Sequence, residues 1–412
     1  MKYVPLLLLV SLFIACDEEI TVPLLQIDAD VELQGTETIP FDALEALEGV
    51  YEVVDGKSLL GSEAVVKRTG NSVSIFTDQD AGYCVLSCGS SDSSLLFVGY
   101  WRKQTGTETG VFRARIAAEQ GGKGLLRGTR GTPGEVFLLG DFGNATNKGL
   151  RPVQLVYRRP LYRGPRPFLI VAHRAGGRNS DQLPASENSA ELVRLAERFG
   201  ANGVEIDVQL SADGVPVIYH DEDMNLRLNQ KSGLVGSVSD YTIAQLESFV
   251  RLKNGERIPT LKRMLATIIR QTSLRFVWLD SKASVPIAML RDIQRGYQDS
   301  ARILGRDLAI VIGLPDEDKV QELLRLPDYR DAVVLCELDV ETARKTDAEI
   351  WAPRWTLGTQ NDLVASMQAE GRFAISWTLD QAAYIQQFIK NGRFDGILTN
   401  YPSLVAYYYY VQ

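Results

Sequence analysis

The stretch GVEIDVQLSADGVPVIYHDED, residues 203–223, reads as two buried strands joined by a turn. Charged side chains are almost never fully buried unless something pairs with them. Glu205, Asp207, His220 and Asp221 are therefore either solvated strand ends or groups that converge on a common point. Side chains two apart on a strand share a face, which puts Glu205 and Asp207 side by side. The surrounding chain has to decide between the two readings.

Working outward, apolar strand runs alternate with helical patterns from about residue 165 to the end. The runs are PFLIVAHR, GVEIDVQL, VPVIYHD, LRFVWLDSK, LAIVIGL, AVVLCEL, RFAISWTL and FDGILTN, with amphipathic stretches such as SENSAELVRLAERFG and DQAAYIQQFIKNG between most of them. Eight such runs over ~250 residues fit a TIM (β/α)8 barrel at 165–412. Taken in chain order they number one to eight, with VPVIYHD third and LRFVWLDSK fourth. EIWAPRW reads as a short extra piece before the seventh, and strands two and three are joined only by SADG. Active sites of such barrels form at the C-terminal ends of the strands. There this reading places His173 and Arg174 (strand one), Glu205 and Asp207 (two), His220 (three) and Asp280 with Lys282 (four). The chain has two histidines in all, and both land on that rim.

Three carboxylates brought together repel one another and are pushed toward protonation unless a cation sits among them. Oxygen ligands alone select a hard divalent ion, Ca2+ or Mg2+. Histidines serve as proton acceptor and donor near neutral pH. Arg174 and Lys282 supply positive charge suited to a phosphate. Together these groups point to phosphodiester cleavage.

The ordered set AHRAGG, SENSAELVRLAERFGANGVEIDVQLSADGVPVIYHDEDMNLR, GERIPTL, DSK, ISWTLD and FDGILTNYP resembles the signature of the glycerophosphodiester phosphodiesterase family over about 168–405. That resemblance implies a TIM-barrel phosphoric diester hydrolase that cleaves glycerophosphodiesters to glycerol phosphate and an alcohol. It implies Glu205, Asp207 and Asp280 as ligands of one divalent cation, His173 and His220 as the acid/base pair, and Arg174 and Lys282 as phosphate holders. Two positions depart from the family pattern. His-Arg-Ala stands for His-Arg-Gly, and the third ligand is Asp280 where Glu is common. The shorter Asp-x-Lys is similar to the spider-venom-type phospholipases D, which implies as the alternative a lyase releasing a cyclic phosphate. Lysophospholipids join glycerophosphodiesters as candidate substrates. Glu187 and Asn188 cap the helix at SENSAE or contact the site, and Asp221 orients its loop. Trp377 lines the pocket or belongs to the core, and Asn400 ends strand eight on the rim.

Upstream, residues 46–160 carry short β-rich runs at roughly 8–12-residue spacing with turn signals between them. They predict a smaller antiparallel all-β barrel or sandwich with no catalytic cluster. A surface lipoprotein whose β-domain binds lipid or glycan is the reading from a different functional class. The opening MKYVPLLLLVSLFIAC has one lysine and an apolar run too short for a span of ~20 residues. FIAC resembles a bacterial lipobox, with Phe13 where Leu is usual. This predicts a signal peptide over 1–15, lipidation of Cys16, and a tether over 16–45 leading to a short helix at DALEALEGV. The expected location is the bacterial cell envelope, with a lipid anchor in the membrane. The acidic DEE that follows resembles the surface-export signal of Bacteroidetes lipoproteins.

Composition is ordinary for globular protein, with 45% hydrophobic and 23% charged residues in 412. The formal net charge of −8 argues against a nucleic-acid partner, which needs a basic surface. The basic YRRPLYRGPRP (157–167) reads as an interdomain linker. Cys84 and Cys88, on one strand, would have Cα atoms ~13 Å apart, beyond disulfide reach. Cys336 reads as a small core residue.

Overall fold

The computed structural model describes residues 27–104, 106 and 108–412; Cys16 and the signal peptide lie outside them. Two barrels follow one another along the chain. The first is closed and antiparallel: β1 (Gly49–Asp55), β2 (Glu63–Thr69), β3 (Ser72–Phe76), β4 (Tyr83–Ser91), β5 (Ser94–Arg102), β6 (Thr109–Ile116), β7 (Phe137–Phe142) and β8 (Arg151–Arg159) pair in sequence, and β8 returns to β1. The barrel-or-sandwich alternative thus resolves to a barrel. Period-2 alternation explains its two faces. Tyr51, Val66, Ile75, Leu86, Phe97 and Phe112 belong to the core of this barrel, whereas Val50, Val65, Phe76, Tyr83 and Val85 join the hydrophobic core of the second. An eight-stranded barrel is just wide enough for side chains to fill, and here Tyr51 meets Tyr157 edge to face with ring centroids 5.4 Å apart. Strands approach closely at Gly99, where a Cβ would fall 2.0 Å from the Val85 carbonyl oxygen. The tether expected over 16–45 ends in helix Phe41–Leu47, whose Ala43, Leu44, Ala46 and Leu47 are buried. Its apolar face packs in the core of the first barrel, so this stretch belongs to the fold.

The second barrel is parallel. It runs β9 (Leu169–Ala172), β10 (Gly203–Leu210), β12 (Phe276–Ser281), β13 (Ala309–Leu314), β14 (Val334–Cys336), β15 (Ile350–Trp351), β16 (Phe373–Ser376) and β17 (Gly396–Thr399), and β9 pairs with both β17 and β10 to close it. One strand, β11 (Pro216–Ile218), pairs antiparallel with β10 and stands outside the ring. This corrects the strand count. VPVIYHD is not the third barrel strand, because four residues cannot carry a parallel crossover, which needs a dozen or more; SADG makes a hairpin instead. LRFVWLDS is the third strand. The EIWAPRW stretch, read as an extra piece, supplies the sixth: Ile350 and Trp351 pair with Leu335 and Cys336 on one side and Phe373 and Ala374 on the other.

Strand parity within the barrel is strict. Val204, Ile206 and Val208 of β10 face the helical layer, while Phe276 and Trp278 of β12 face the barrel centre. Helix Leu261–Gln271 shows how that layer forms. Thr260 caps it by accepting from the Arg263 backbone N–H, and Leu261, Met264, Leu265 and Ile268 form its buried stripe. The last helix, Pro402–Tyr410, is buried over Pro402–Tyr407. Tyr83 of the first barrel packs on Phe199 of the second (centroids 4.9 Å apart), and the Ser74 hydroxyl donates to the Arg198 carbonyl at 2.9 Å. Cys84, Cys88 and Cys336 are free thiols. Among the described residues no helix is long and apolar enough to cross a membrane.

Candidate active site

Parallel registry puts Asp207 beside Asp280 and Glu205 beside Trp278, so three carboxylates rise on adjacent strands toward the C-terminal mouth. One oxygen from each of Glu205, Asp207 and Asp280 lies within 4.8 Å of the other two. The hairpin then folds back, and the Tyr219 N–H donates to the Asp207 carbonyl at 3.0 Å. That return delivers His220 to the same mouth without any need for a barrel strand of its own. His173, Glu205, Asp207, His220, Asp280 and Lys282 all line one cavity of about 340 Å³.

Electrostatics here are those of a cation site. Burial first, then the charges of Asp207 and Asp280, push the Glu205 carboxyl well above the ordinary range. Asp280 is also raised, chiefly by burial. Burial works the same way on Asp207, but Lys282 and the two histidines outweigh it and hold that carboxyl low. Lys282 ion-pairs with Asp207 at 2.7 Å and with Asp280. Asn188 donates its amide to the second Asp207 oxygen at 2.7 Å, and the Arg174 backbone N–H donates to Glu205 at 2.7 Å. Three crowded carboxylates, of which one lysine pairs with two, suit a divalent ion, and an all-oxygen set suits a hard one.

Each histidine has its Nδ1 fixed from behind. Asp380 accepts from the Asn400 side-chain amide at 2.7 Å, and a carboxylate can only accept, so Asn400 turns its Oδ1 toward His173. His173 Nδ1 therefore carries the proton and donates at 2.9 Å, leaving Nε2 with a lone pair 3.8 Å from Glu205. Burial, with help from Arg174, lowers the His173 pKa to about 4 and keeps the ring neutral. His220 Nδ1 contacts Asp221 at 2.6 Å, and its Nε2 accepts from Arg174 at 2.7 Å. Asp221 is in turn held by Arg227 and Asn225. Gln209 ties this loop down by donating to the Tyr219, His220 and Asp221 carbonyls.

Several residues stand elsewhere than the sequence suggests. Arg174 is not in the cavity wall: its guanidinium meets His220 at Nε2, the ring nitrogen opposite the one Asp221 holds, and is clamped to Glu187 at 2.9 Å. Glu187 is buried and spends both oxygens on Arg174, Arg227 and the Asn179 backbone N–H. Neither Glu187 nor Asn188 caps the helix, since Ser189 does so by accepting from the Leu192 N–H. Both act one layer behind the cavity. Trp377 does line it, with the Arg354 guanidinium 4.5 Å from its ring centroid. Asp316, Glu337 and Arg354 line the opposite wall and are not singled out by the sequence reading. Glu337 is raised to about 8, by burial and then by Asp280. The only available signal was position, because Glu337 and Arg354 each follow a barrel strand, and counting β15 as an extra piece hid the second. A larger cavity of about 550 Å³ opens at the other end of the barrel, but its Lys67, Arg163, Arg166 and Arg275 are each paired with a carboxylate.

Comparison with known proteins bears on the same region. Residues 173–289 match the model of the glycerophosphoryl diester phosphodiesterase family. Glycerophosphodiester phosphodiesterase 1 of Mus musculus is 33% identical over 128 residues, 30% of this chain and 37% of its own length. A glycerophosphodiester phosphodiesterase of Caldanaerobacter subterraneus is 25% identical over 57% of this chain and 94% of its own. A solved glycerophosphodiester phosphodiesterase from Parabacteroides distasonis is 24% identical, covers 59% of this chain and 96% of its own, and superposes with a TM-score of 0.46. The family match thus covers residues 173–289 of the second barrel, and the sequence relatives of this region are glycerophosphodiester phosphodiesterases.

Proposed function

We propose that the chain is a metal-dependent phosphodiesterase that hydrolyses glycerophosphodiesters to glycerol phosphate and an alcohol. The observation that carries this is the meeting of three carboxylates, a lysine and two histidines in one cavity. Glu205, Asp207 and Asp280 would hold one divalent cation, Ca2+ or Mg2+, which when bound supplies Lewis-acid polarisation of the phosphoryl oxygens. Lys282 offers its ammonium to the same phosphate. In this reading the attacking hydroxyl, water's or the substrate's own, loses its proton to Nε2 of His173 as its oxygen bonds to phosphorus; where it is the substrate's own, the cyclic phosphate so formed is opened by water in a second displacement to give glycerol phosphate. The bond from phosphorus to the leaving alcohol's oxygen breaks, and Nε2 of His220 supplies the proton that oxygen needs.

The neutral, Asn400-backed ring of His173 supports the base role. Asp221 at the back of His220 holds its Nδ1 and so aims its Nε2. In the resting arrangement, however, His220 Nε2 accepts from Arg174. Arg174 must exchange that contact for a phosphate oxygen before His220 can carry the proton. Binding of the anion and arming of the acid are then one event.

The test is a phosphorus-NMR screen of glycerophosphodiesters and lysophospholipids with metal-stripped protein, repeated with Ca2+ or Mg2+ added back. Glycerol phosphate and free alcohol should appear only with the ion, and no turnover of any substrate would overturn the reading. A cyclic phosphate persisting as end product would favour the lyase alternative, which rests on Asp280 being a methylene shorter than Glu.

Lipidation of Cys16 and residence in the bacterial envelope complete the proposal, on the strength of the apolar run and the Ala15–Cys16 junction. Cys16→Ser should move the protein from the detergent-extracted membrane fraction to a soluble or unprocessed form. A processed mutant that still needs detergent would count against the anchor.

A further inference from the structure

Among the described residues the first barrel carries no cluster of catalytic character, yet the start of its β5–β6 connection reaches the mouth of the second. Gln104, two residues past β5, is fully buried and held at three points. Its backbone N–H donates to the Asp80 carbonyl at 3.2 Å, and its Oε1 accepts from the Ser403 hydroxyl at 3.0 Å. Its Nε2 donates at 2.8 Å to the backbone carbonyl of Asn400, the residue whose side chain fixes Nδ1 of His173. Arg102, the last residue of β5 and 2% exposed, grips the loop after β9: its Nη2 donates to the Asp181 and Gln182 carbonyls at 2.9 and 2.6 Å. That loop carries Asn179, which exchanges hydrogen bonds with Glu187, and Glu187 clamps Arg174. Tyr401 and Arg178 tie the same loop to the segment after β17, through the Tyr401 hydroxyl bonded to both Arg178 and Asp181.

We propose that the first barrel is a working part of the active site, with Gln104 and Arg102 as positioning residues that set His173 through Asn400 and set Arg174 through the 179–187 loop. The proposal takes the reaction from the phosphodiesterase reading above. Loops at the mouth of a TIM barrel are mobile unless something fixes them, and a reactive group misplaced by about 1 Å can lose 10²-fold in rate. Here the fixing comes from a closed barrel, and it bears on the two loops that hold the proposed base and the arginine bonded to Nε2 of the proposed acid. A residue that only glued the barrels together could bind anywhere along their interface. Gln104 instead bonds the one backbone carbonyl whose own side chain orients His173.

The test compares Gln104→Leu with Ser74→Ala, which removes a hydrogen bond between the barrels far from the mouth. Gln104→Leu should lower kcat about tenfold, the lower end of what losing a partner behind a reactive histidine costs, with KM unchanged. Ser74→Ala should leave kcat at the wild-type value. A second readout does not depend on activity. With two histidines in the chain, ¹⁵N-imidazole NMR shows two rings, and His220→Ala identifies which is His173. The Nδ1–H tautomer of His173 should give way to a mixture in Gln104→Leu and persist in Ser74→Ala. A folded Gln104→Leu with wild-type kcat and an unchanged His173 signature overturns the proposal. If the wild type cleaves no phosphodiester, the functional reading fails while the tautomer comparison still decides this one. Should Gln104→Leu fail to fold, Arg102→Lys keeps the charge but loses the grip on both carbonyls. It should lower kcat likewise, and a wild-type kcat would overturn the proposal.

Discussion

Asp207→Asn should bring phosphodiesterase activity to background while leaving the barrel folded, and excess EDTA should do the same to the wild type, reversibly. Asp207 sits between Lys282 and the Asn188 amide, one strand from Asp280 and two residues from Glu205. Replacing it with a neutral residue of the same shape removes one of three charges that face the proposed ion and preserves packing. A cation that binds only the folded state stabilises it by mass action, about 2.7 kcal/mol at a hundredfold excess over Kd. Wild-type protein should therefore melt higher when Ca2+ or Mg2+ is returned after stripping, and Asp207→Asn should show no such shift. The sign is fixed by the carboxylates. Without an ion, Glu205 and Asp280 are pushed toward their protonated forms by burial and by Asp207, and an ion that neutralises the cluster relieves both. Full activity in excess chelator would remove the metal from the mechanism. A cation-dependent melting shift surviving in Asp207→Asn would move the site elsewhere.

What the sequence revealed of this site followed from period-2 logic. Glu205 and Asp207, like Asp280 and Lys282, meet because residues two apart on a strand share a face, and that holds whichever barrel strand is called third. The strand count failed where connection length should have overruled apolar pattern. SADG is too short for a parallel crossover, so connection length makes 203–218 a hairpin and takes VPVIYHD out of the barrel. The true sixth strand is two residues long, and no periodicity can be read from two residues. Arg354 was lost with it. Glu187 and Arg174 show a different limit. Their types and spacing announce a charged site, but that Glu187 clamps Arg174 and that Arg174 meets Nε2 of His220 depends on side-chain geometry set by Asn179 and Arg227. Gln104 lies furthest from legibility. Its partner Asn400 is 296 residues away, in the other barrel, and a lone glutamine after a strand carries no signal of that contact.

The two histidines should separate by leaving group. Removing a general acid or base typically costs 10²–10⁴-fold, so His173→Ala and His220→Ala should each lose that much kcat on a glycerophosphodiester, with KM largely kept because neither ring is asked to hold the substrate. A p-nitrophenyl phosphodiester has a leaving oxygen that needs no proton. If His220 is the acid, its alanine variant should recover most of its rate on that substrate, while His173→Ala should stay impaired because the attacking hydroxyl still has to be deprotonated. The arrangement behind each ring sharpens the contrast. Asn400 is a neutral partner that fixes a tautomer with a free Nε2 lone pair, which suits a base; Asp221 is an anion that holds Nδ1 of the other ring and aims its Nε2. Asp221→Asn should therefore reproduce the His220→Ala pattern in weaker form, slow on the alkyl leaving group and nearly normal on p-nitrophenolate. Asn400→Asp, which sets a charge behind His173, should slow both substrates together. Equal rescue of both histidine variants, or of neither, would reject this division of roles, and near wild-type turnover by either would reject proton transfer by that ring altogether.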